Sequence, residues 1–90
     1  MTDITFDPDG PRYRLPLGDE EAEVTLSLTD AVMTIRRVFV PPAHEGQGLA
    51  ARLMAHVAKD ARDRGLKIAP VCAYAVAWFR RHPDQSDLLA

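Results

Sequence analysis

The sequence contains one cysteine, Cys72, and no long apolar run. A lone cysteine closes no internal disulfide, and without a second there is no thiolate pair to seed a zinc site. The longest apolar stretch, Ile68 to Val71 with its neighbours, is interrupted by Pro70 and falls far short of the roughly 20 apolar residues of a membrane span. Lys and Arg are missing from Met1 to Gly10, where Asp3, Asp7 and Asp9 stand instead, the reverse of a secretory or mitochondrial leader. Aromatics are 7% of the chain and form no stacking run of the kind that binds single-stranded nucleic acid. These absences point to a reducing cytoplasm, with neither a membrane nor a nucleic acid as partner. Ser-His-Asp and metal-ligand spacings are also missing.

What is present is 90 residues, 47% hydrophobic and 27% charged, enough for one domain spanning 1–90. A chain this short buries roughly 60% of the surface its unfolded form exposes, which permits one contiguous core but no large accessory elements. The net charge of −2 hides an asymmetry. Residues 1–30 hold eight acids against Arg12 and Arg14, a net of −6, whereas residues 31–67 hold seven bases against three acids, a net of +4. A basic middle in an acidic protein suits a compact polyanion better than a long nucleic acid, although ordinary solvated charge accounts for it equally.

Four segments alternate with period two: Ile4 to Phe6, Tyr13 to Leu17, Ala22 to Leu28 and Val32 to Val40. In the third, Val24, Leu26 and Leu28 oppose Glu23, Thr25 and Ser27, as in a half-buried strand. The breaks carry turn chemistry, Asp7-Pro8-Asp9-Gly10-Pro11, Gly18-Asp19-Glu20 and Thr29-Asp30-Ala31, so an antiparallel meander is expected. Pro41-Pro42 ends the fourth strand because proline donates nothing to a ladder. Past Gly46-Gln47-Gly48 the period becomes helical. Ala50, Leu53, Met54, Val57, Ala58 and Ala61 share one side, and Arg52, His56, Lys59 and Asp63 the other. Gly65 is the expected stop, with Arg62 and Arg64 in the last turn. Leu66 to Cys72 reads as a fifth strand, parallel by a right-handed crossover. A second helix follows from about Tyr74 to Arg81, ended by His82-Pro83. Residues 84–90 read as loosely ordered, with Leu88 and Leu89 able to dock. The fold class is α/β (α+β).

The sharpest chemical feature is the passage from strand to helix, Val40-Pro41-Pro42-Ala43-His44-Glu45-Gly46-Gln47-Gly48-Leu49-Ala50. Glycine admits positive φ and close approach to the backbone, and the first N–H groups of a helix lack internal partners. Together with the helix dipole these make a phosphate site, although two glycines before a helix also occur as a plain turn. The dinucleotide fingerprint and the P-loop are absent, for want of a third glycine and of Gly-Lys-Ser/Thr.

The segment resembles motif A of the GNAT superfamily of N-acetyltransferases, Arg/Gln-x-x-Gly-x-Gly/Ala after a strand ending in Val-Pro. Ala61 to Ile68, Pro70-Val71-Cys72-Ala73-Tyr74 and Trp78 through Arg81-His82-Pro83 extend the likeness to the small, truncated GNAT-like subgroup, over roughly residues 20–89. The resemblance implies a minimal GNAT-like fold and acetyl-CoA as ligand. Its pyrophosphate would lie at the N–H groups of Gln47, Gly48, Leu49 and Ala50, within the loop Glu45 to Ala50 that includes Gly46, and its pantetheine along Phe39 and Val40. Arg52 is placed to approach a phosphate or to be a solvated surface residue. Two positions depart from the pattern: Glu45 puts a negative charge beside the loop, and Ala73 replaces a proline.

Acetyl transfer to an amine needs a free nucleophile, a polarised carbonyl and a proton for the leaving thiolate. Cys72, at the end of the fifth strand, is either an acetyl-carrying nucleophile or a buried inert thiol. Tyr74 either protonates the thiolate or packs beneath the sheet, and His82 is either a base or a helix stop. His44 precedes the loop and His56 lies on the solvent side, so neither is assigned a role. Trp78 and Phe79 read as core. Two functions follow: acetyl-CoA-dependent N-acetylation of an unidentified amine or protein acceptor, or a CoA-binding or interaction module that keeps the fold without the chemistry. The forty residues before the loop hold no helical stretch, whereas ordinary GNAT enzymes insert helices between their first two strands that help wall the acceptor site, so the resemblance implies an acceptor side open to a large substrate.

Overall fold

The computed structural model describes residues 3–90. Its elements run β1 (Thr5–Asp7), β2 (Arg12–Leu17), β3 (Glu20–Thr29), β4 (Val32–Phe39), a 3-10 turn (Pro42–His44), α1 (Leu49–Arg64), β5 (Lys67–Pro70), α2 (Ala73–Arg81) and a second 3-10 segment (Pro83–Leu88). The strands form one sheet in the order β1-β2-β3-β4-β5. The first four are antiparallel and β5 adds parallel to β4. Both two-residue hairpin loops begin with a residue of positive φ, Gly18 at 71° and Asp30 at 56°, the conformation that matches tight turns to strand twist. Among the described residues no helix is long and apolar enough to cross a membrane.

Alternation along the strands sends Tyr13, Leu15, Ala22, Val24, Leu26, Met33, Ile35 and Ile68 into one core. The helix bury-face meets them through Leu49, Leu53, Met54, Val57, Ala58 and Ala61, and α2 adds Ala75, Trp78 and Phe79. Leu49, not Ala50, opens the buried stripe of α1, since Ala50 is only half-buried. Tyr13 is fully buried, yet its hydroxyl donates to the Asp60 carboxylate. Burial, reinforced by that bond, raises the phenol's pKa. His56, expected on the solvent side, is half-buried with its ring edge-on to Tyr13 at 5.6 Å.

The opposite sheet face is polar. Arg12 pairs with Asp7 and Glu23, and Arg14 with Asp7 and Glu21. The expectation of a loose tail is corrected. Leu88 is buried, Leu89 bridges to Ile68, and the Ala90 N–H donates to the Ile68 carbonyl at 2.9 Å. Arg62 holds Asp87 at 2.7 Å and Gln85 at 3.0 Å, so helix and tail close on each other.

Candidate functional site

The site begins with a break in β4. Pairing with β3 shifts between Thr25 and Leu26, so that Thr25 opposes Arg37 while Leu26 opposes Ile35. Arg36 is therefore an extra residue, a β-bulge. It restores parity: Ile35 points inward, Arg36 and Arg37 are both exposed, and Val38 packs against the core. Bulges bend the strand that carries them. On the other edge, pairing with β5 ends at Ile35 opposite Pro70, and the Ile35 carbonyl accepts from both Val71 (3.0 Å) and Cys72 (3.2 Å). Beyond Ile35 the two parallel strands fork, and among the described residues the β5-facing edge of β4 from Arg36 to Val40 has no strand partner.

The fork opens onto the start of α1. Pro41 is buried and anchors the strand end; Pro42–His44 makes one 3-10 turn, tied by His44 N–H to Pro41 O at 2.8 Å. Gly46 and Gly48 then take φ of 81° and 74°. A side chain there would meet no other atom within 4 Å, so glycine is required by the left-handed backbone and not by crowding. Gly48 is the N-cap of α1 and has no side chain with which to cap. The first intrahelical bond runs from Arg52 N–H to Gly48 O at 3.1 Å, which leaves the N–H groups of Leu49, Ala50 and Ala51 without helical partners. No acid occupies the first turn itself, where the positive end of the dipole favours an anion.

A cleft of about 270 Å³ lies over this turn, lined by Val40, His44, Glu45, Gly46, Gly48 and the first turn of α1. A second hollow of about 430 Å³, lined by Val38, Phe39, Val40, Pro42, Glu45 and Ala50, runs along the end of β4. Tyr74 lines both, as do Val40, Glu45 and Ala50. The two are one groove, with backbone N–H groups at one end and the free β4 edge at the other. Such a groove offers hydrogen-bond donors to an anion at one end and unpaired strand backbone groups at the other.

Of the residues expected at the loop, Phe39, Val40, Glu45, Gly46, Gly48, Leu49 and Ala50 line the groove. Gln47 and Arg52 are exposed beside it, and Arg52 has no carboxylate partner among the described residues. Glu45 does not point away from the groove but lines both halves. His44, given no role in the sequence reading, also lines it, with Nε2 3.9 Å from the Glu20 carboxylate. Its signal was position, two residues before Gly46 in a turn that Pro41-Pro42 forces back toward the helix.

The three candidate catalytic residues separate. Tyr74 borders the groove; Cys72, half-buried at the N-cap of α2, stands at the apex of the fork without lining either hollow. His82, read as either a base or a helix stop, lines neither half of the groove. It lies eight residues beyond Tyr74, which at helical rise is about 12 Å along α2. Its Nδ1 donates to the Trp78 carbonyl at 2.7 Å, its ring stacks on Trp78 at 4.1 Å, and it lines a separate hollow with Lys59 and Arg62. It closes the end of α2.

The model of the family described as GCN5-related N-acetyl-transferase matches residues 12–88. A search of curated proteins gives no match. Among solved structures, an NMR structure of a GCN5-like candidate N-acetyltransferase from Staphylococcus aureus superposes with a TM-score of 0.76 at 22% identity, over 98% of this chain and 87% of that one. The ribosomal-protein-S18-alanine N-acetyltransferase from Escherichia coli superposes with a TM-score of 0.65 at 20% identity. It aligns with 78% of this chain, but only 49% of the Escherichia coli chain is covered. At these identities the two structures establish likeness of fold.

Proposed function

The chain belongs to the GCN5-related N-acetyltransferase family, and we propose that its single domain, residues 1–90, transfers an acetyl group from acetyl-CoA to an amine. The observation that carries this reading is the continuity of the groove from the uncapped first turn of α1 to the free edge of β4. When bound, acetyl-CoA supplies an acyl group activated as a thioester. The N–H groups of Leu49, Ala50 and Ala51, with the flanking Gly48, hold the pyrophosphate. The free backbone groups of Phe39 and Val40 pair with the pantetheine amides in the manner of an added strand. Arg52, one turn into α1, offsets the negative charge of Glu45 beside the phosphates.

Tyr74 would be the proton donor to the departing thiolate, since it lines both halves of the groove and carries an O–H. The neutral acceptor amine would attack the acetyl carbonyl directly; the C–S bond breaks as the C–N bond forms, and the proton the amine loses to solvent on the open side balances the one Tyr74 regains from it. Cys72 holds the fork apex through its backbone and is not the acetyl carrier in this reading, because Tyr74 lines the groove and Cys72 does not.

Calorimetry with acetyl-CoA tests the ligand, and consumption of acetyl-CoA against amines, polyamines and peptides tests the reaction. Binding at micromolar to millimolar ligand and transfer above background are expected. Tyr74→Phe should lower kcat by on the order of 10²-fold with acetyl-CoA binding retained, and Cys72→Ala should keep most of the activity. Binding without transfer to any amine would leave a CoA-binding module in place of an enzyme. No binding at millimolar acetyl-CoA would refute both.

A further inference from the structure

The fork has a second face. On the side of the sheet away from the helices, the bulge presents Arg36 and Arg37 in succession, both exposed, at the point where β5 leaves β4. The other sheet arginines are neutralised: Arg12 by Asp7 and Glu23, Arg14 by Asp7 and Glu21. Arg36 has only the Ser27 hydroxyl at 3.5 Å, and Arg37 lies over the Phe39 ring at 4.7 Å. Among the described residues neither has a carboxylate partner. Phe39 also lines the groove, so the Arg37 guanidinium sits at the border between the groove and the outer face. Val71, 67% exposed, flanks the same exit. Two adjacent cations at the mouth of a reactive groove, on a chain whose net charge is −2, form a localised anion-selecting rim.

We infer that Arg36 and Arg37 select the acceptor, and that the acceptor is a polypeptide segment carrying carboxylates close to its reactive amine. The inference deepens the transfer reading above and rests on it. An arginine presents a fixed fork of donors to a carboxylate, and stacking on an aromatic ring leaves the edge of that fork free. A polypeptide fits better than a small molecule because small-molecule sites enclose most of their ligand, whereas the outer face at the bulge is an open sheet surface.

The test uses the full chain and three peptides that share one free amine, followed by two glutamates, two glutamines or two lysines. Peptide binding is read by anisotropy of a labelled copy and transfer by kcat/KM, each at low and high salt. The glutamate peptide should be favoured over the glutamine peptide on the order of tenfold at low salt, and less at high salt. The pair Arg36→Glu with Arg37→Glu should reverse the preference toward the lysine peptide, and Arg36→Gln with Arg37→Gln should abolish it. Both variants should bind acetyl-CoA as the parent does, which shows that they fold. Acetyl-CoA binding and amine transfer without an acidic preference, or a preference that survives charge reversal, overturns this inference alone. Failure to bind acetyl-CoA overturns the transfer reading, and the acceptor assignment falls with it.

Discussion

The two ends of α1 are built on the same residue in the same conformation and do opposite things. Gly48 at its start and Gly65 at its end both adopt the left-handed region, with φ of 74° and 71°. At the C-terminus the turn closes the helix: Gly65 N–H reaches Arg62 O, Leu66 N–H reaches Ala61 O, and Arg62 and Arg64 stand in the last turn where the dipole favours cations. Around it the chain is tied further by Arg62 to Asp87 and by Trp78 against His82. At the N-terminus the turn leaves the helix open, with no side-chain cap, no acid, and a groove over the free N–H groups. With glycine as the N-cap, the helix forgoes roughly a few tenths of a kcal/mol relative to a side chain that caps. The difference teaches that left-handed glycine is not itself a sign of function; the absence of a partner for the adjoining N–H groups is.

The comparison can be broken at several points. The largest effect is expected at the closed end, where Trp78 is 4% exposed between α1 and α2. Trp78→Ala should cost about 3–5 kcal/mol, measured by denaturant unfolding, with acetyl-CoA affinity of the remaining folded protein little changed. Gly48→Ala and Gly65→Ala should each cost about 1–2 kcal/mol, because each forces a Cβ into a left-handed backbone. Only the first should weaken acetyl-CoA binding, by tenfold or more in calorimetry; equal loss in both would erase the distinction drawn between the ends. Ala51→Glu places an acid in the first turn, where it should add about 0.3–1 kcal/mol of stability through the helix dipole. The same charge should weaken acetyl-CoA binding several-fold, so a variant both more stable and tighter-binding would contradict the account.

The smallest effect is the pH response of the closed end. The Arg62 hydrogen bond holds the Asp87 carboxyl below its ordinary range. A carboxylate depressed in the folded state contributes stability that is fully present above about pH 4 and is lost as pH falls through its lower folded value. Asp87→Asn should therefore lower stability slightly at neutral pH and flatten the acid limb of a stability-against-pH curve, and Arg62→Gln should do the same.

Much of this was legible in the chain because alternation is local. Val24, Leu26, Met33 and Ile35 announced their strands, and the stripe from Leu53 to Ala61 announced its helix. Gly46-Gln47-Gly48 marked the loop because only a helix start follows it. The bulge was legible too, yet was passed over: Arg36-Arg37 is a pair of consecutive polar residues inside an otherwise alternating strand. What the chain did not disclose depends on partners distant in sequence. Asp87 meets Arg62 and Leu89 meets Ile68, and neither contact is written in a seven-residue tail with two leucines. His82 stayed open between a base and a helix stop, because its stacking on Trp78 depends on side-chain packing that residue order alone does not show.

The central claim is that the open end of α1, with the free edge of β4, receives acetyl-CoA. Titration of the isotope-labelled protein with acetyl-CoA, followed through backbone amide shifts, tests it most directly. The account predicts the largest shifts at Gly48 to Ala51 and at Val38 to Val40, with Gly65, Trp78 and His82 nearly still. Shifts centred instead on the hollow around Lys59, Arg62 and His82, or none at millimolar ligand, would contradict it.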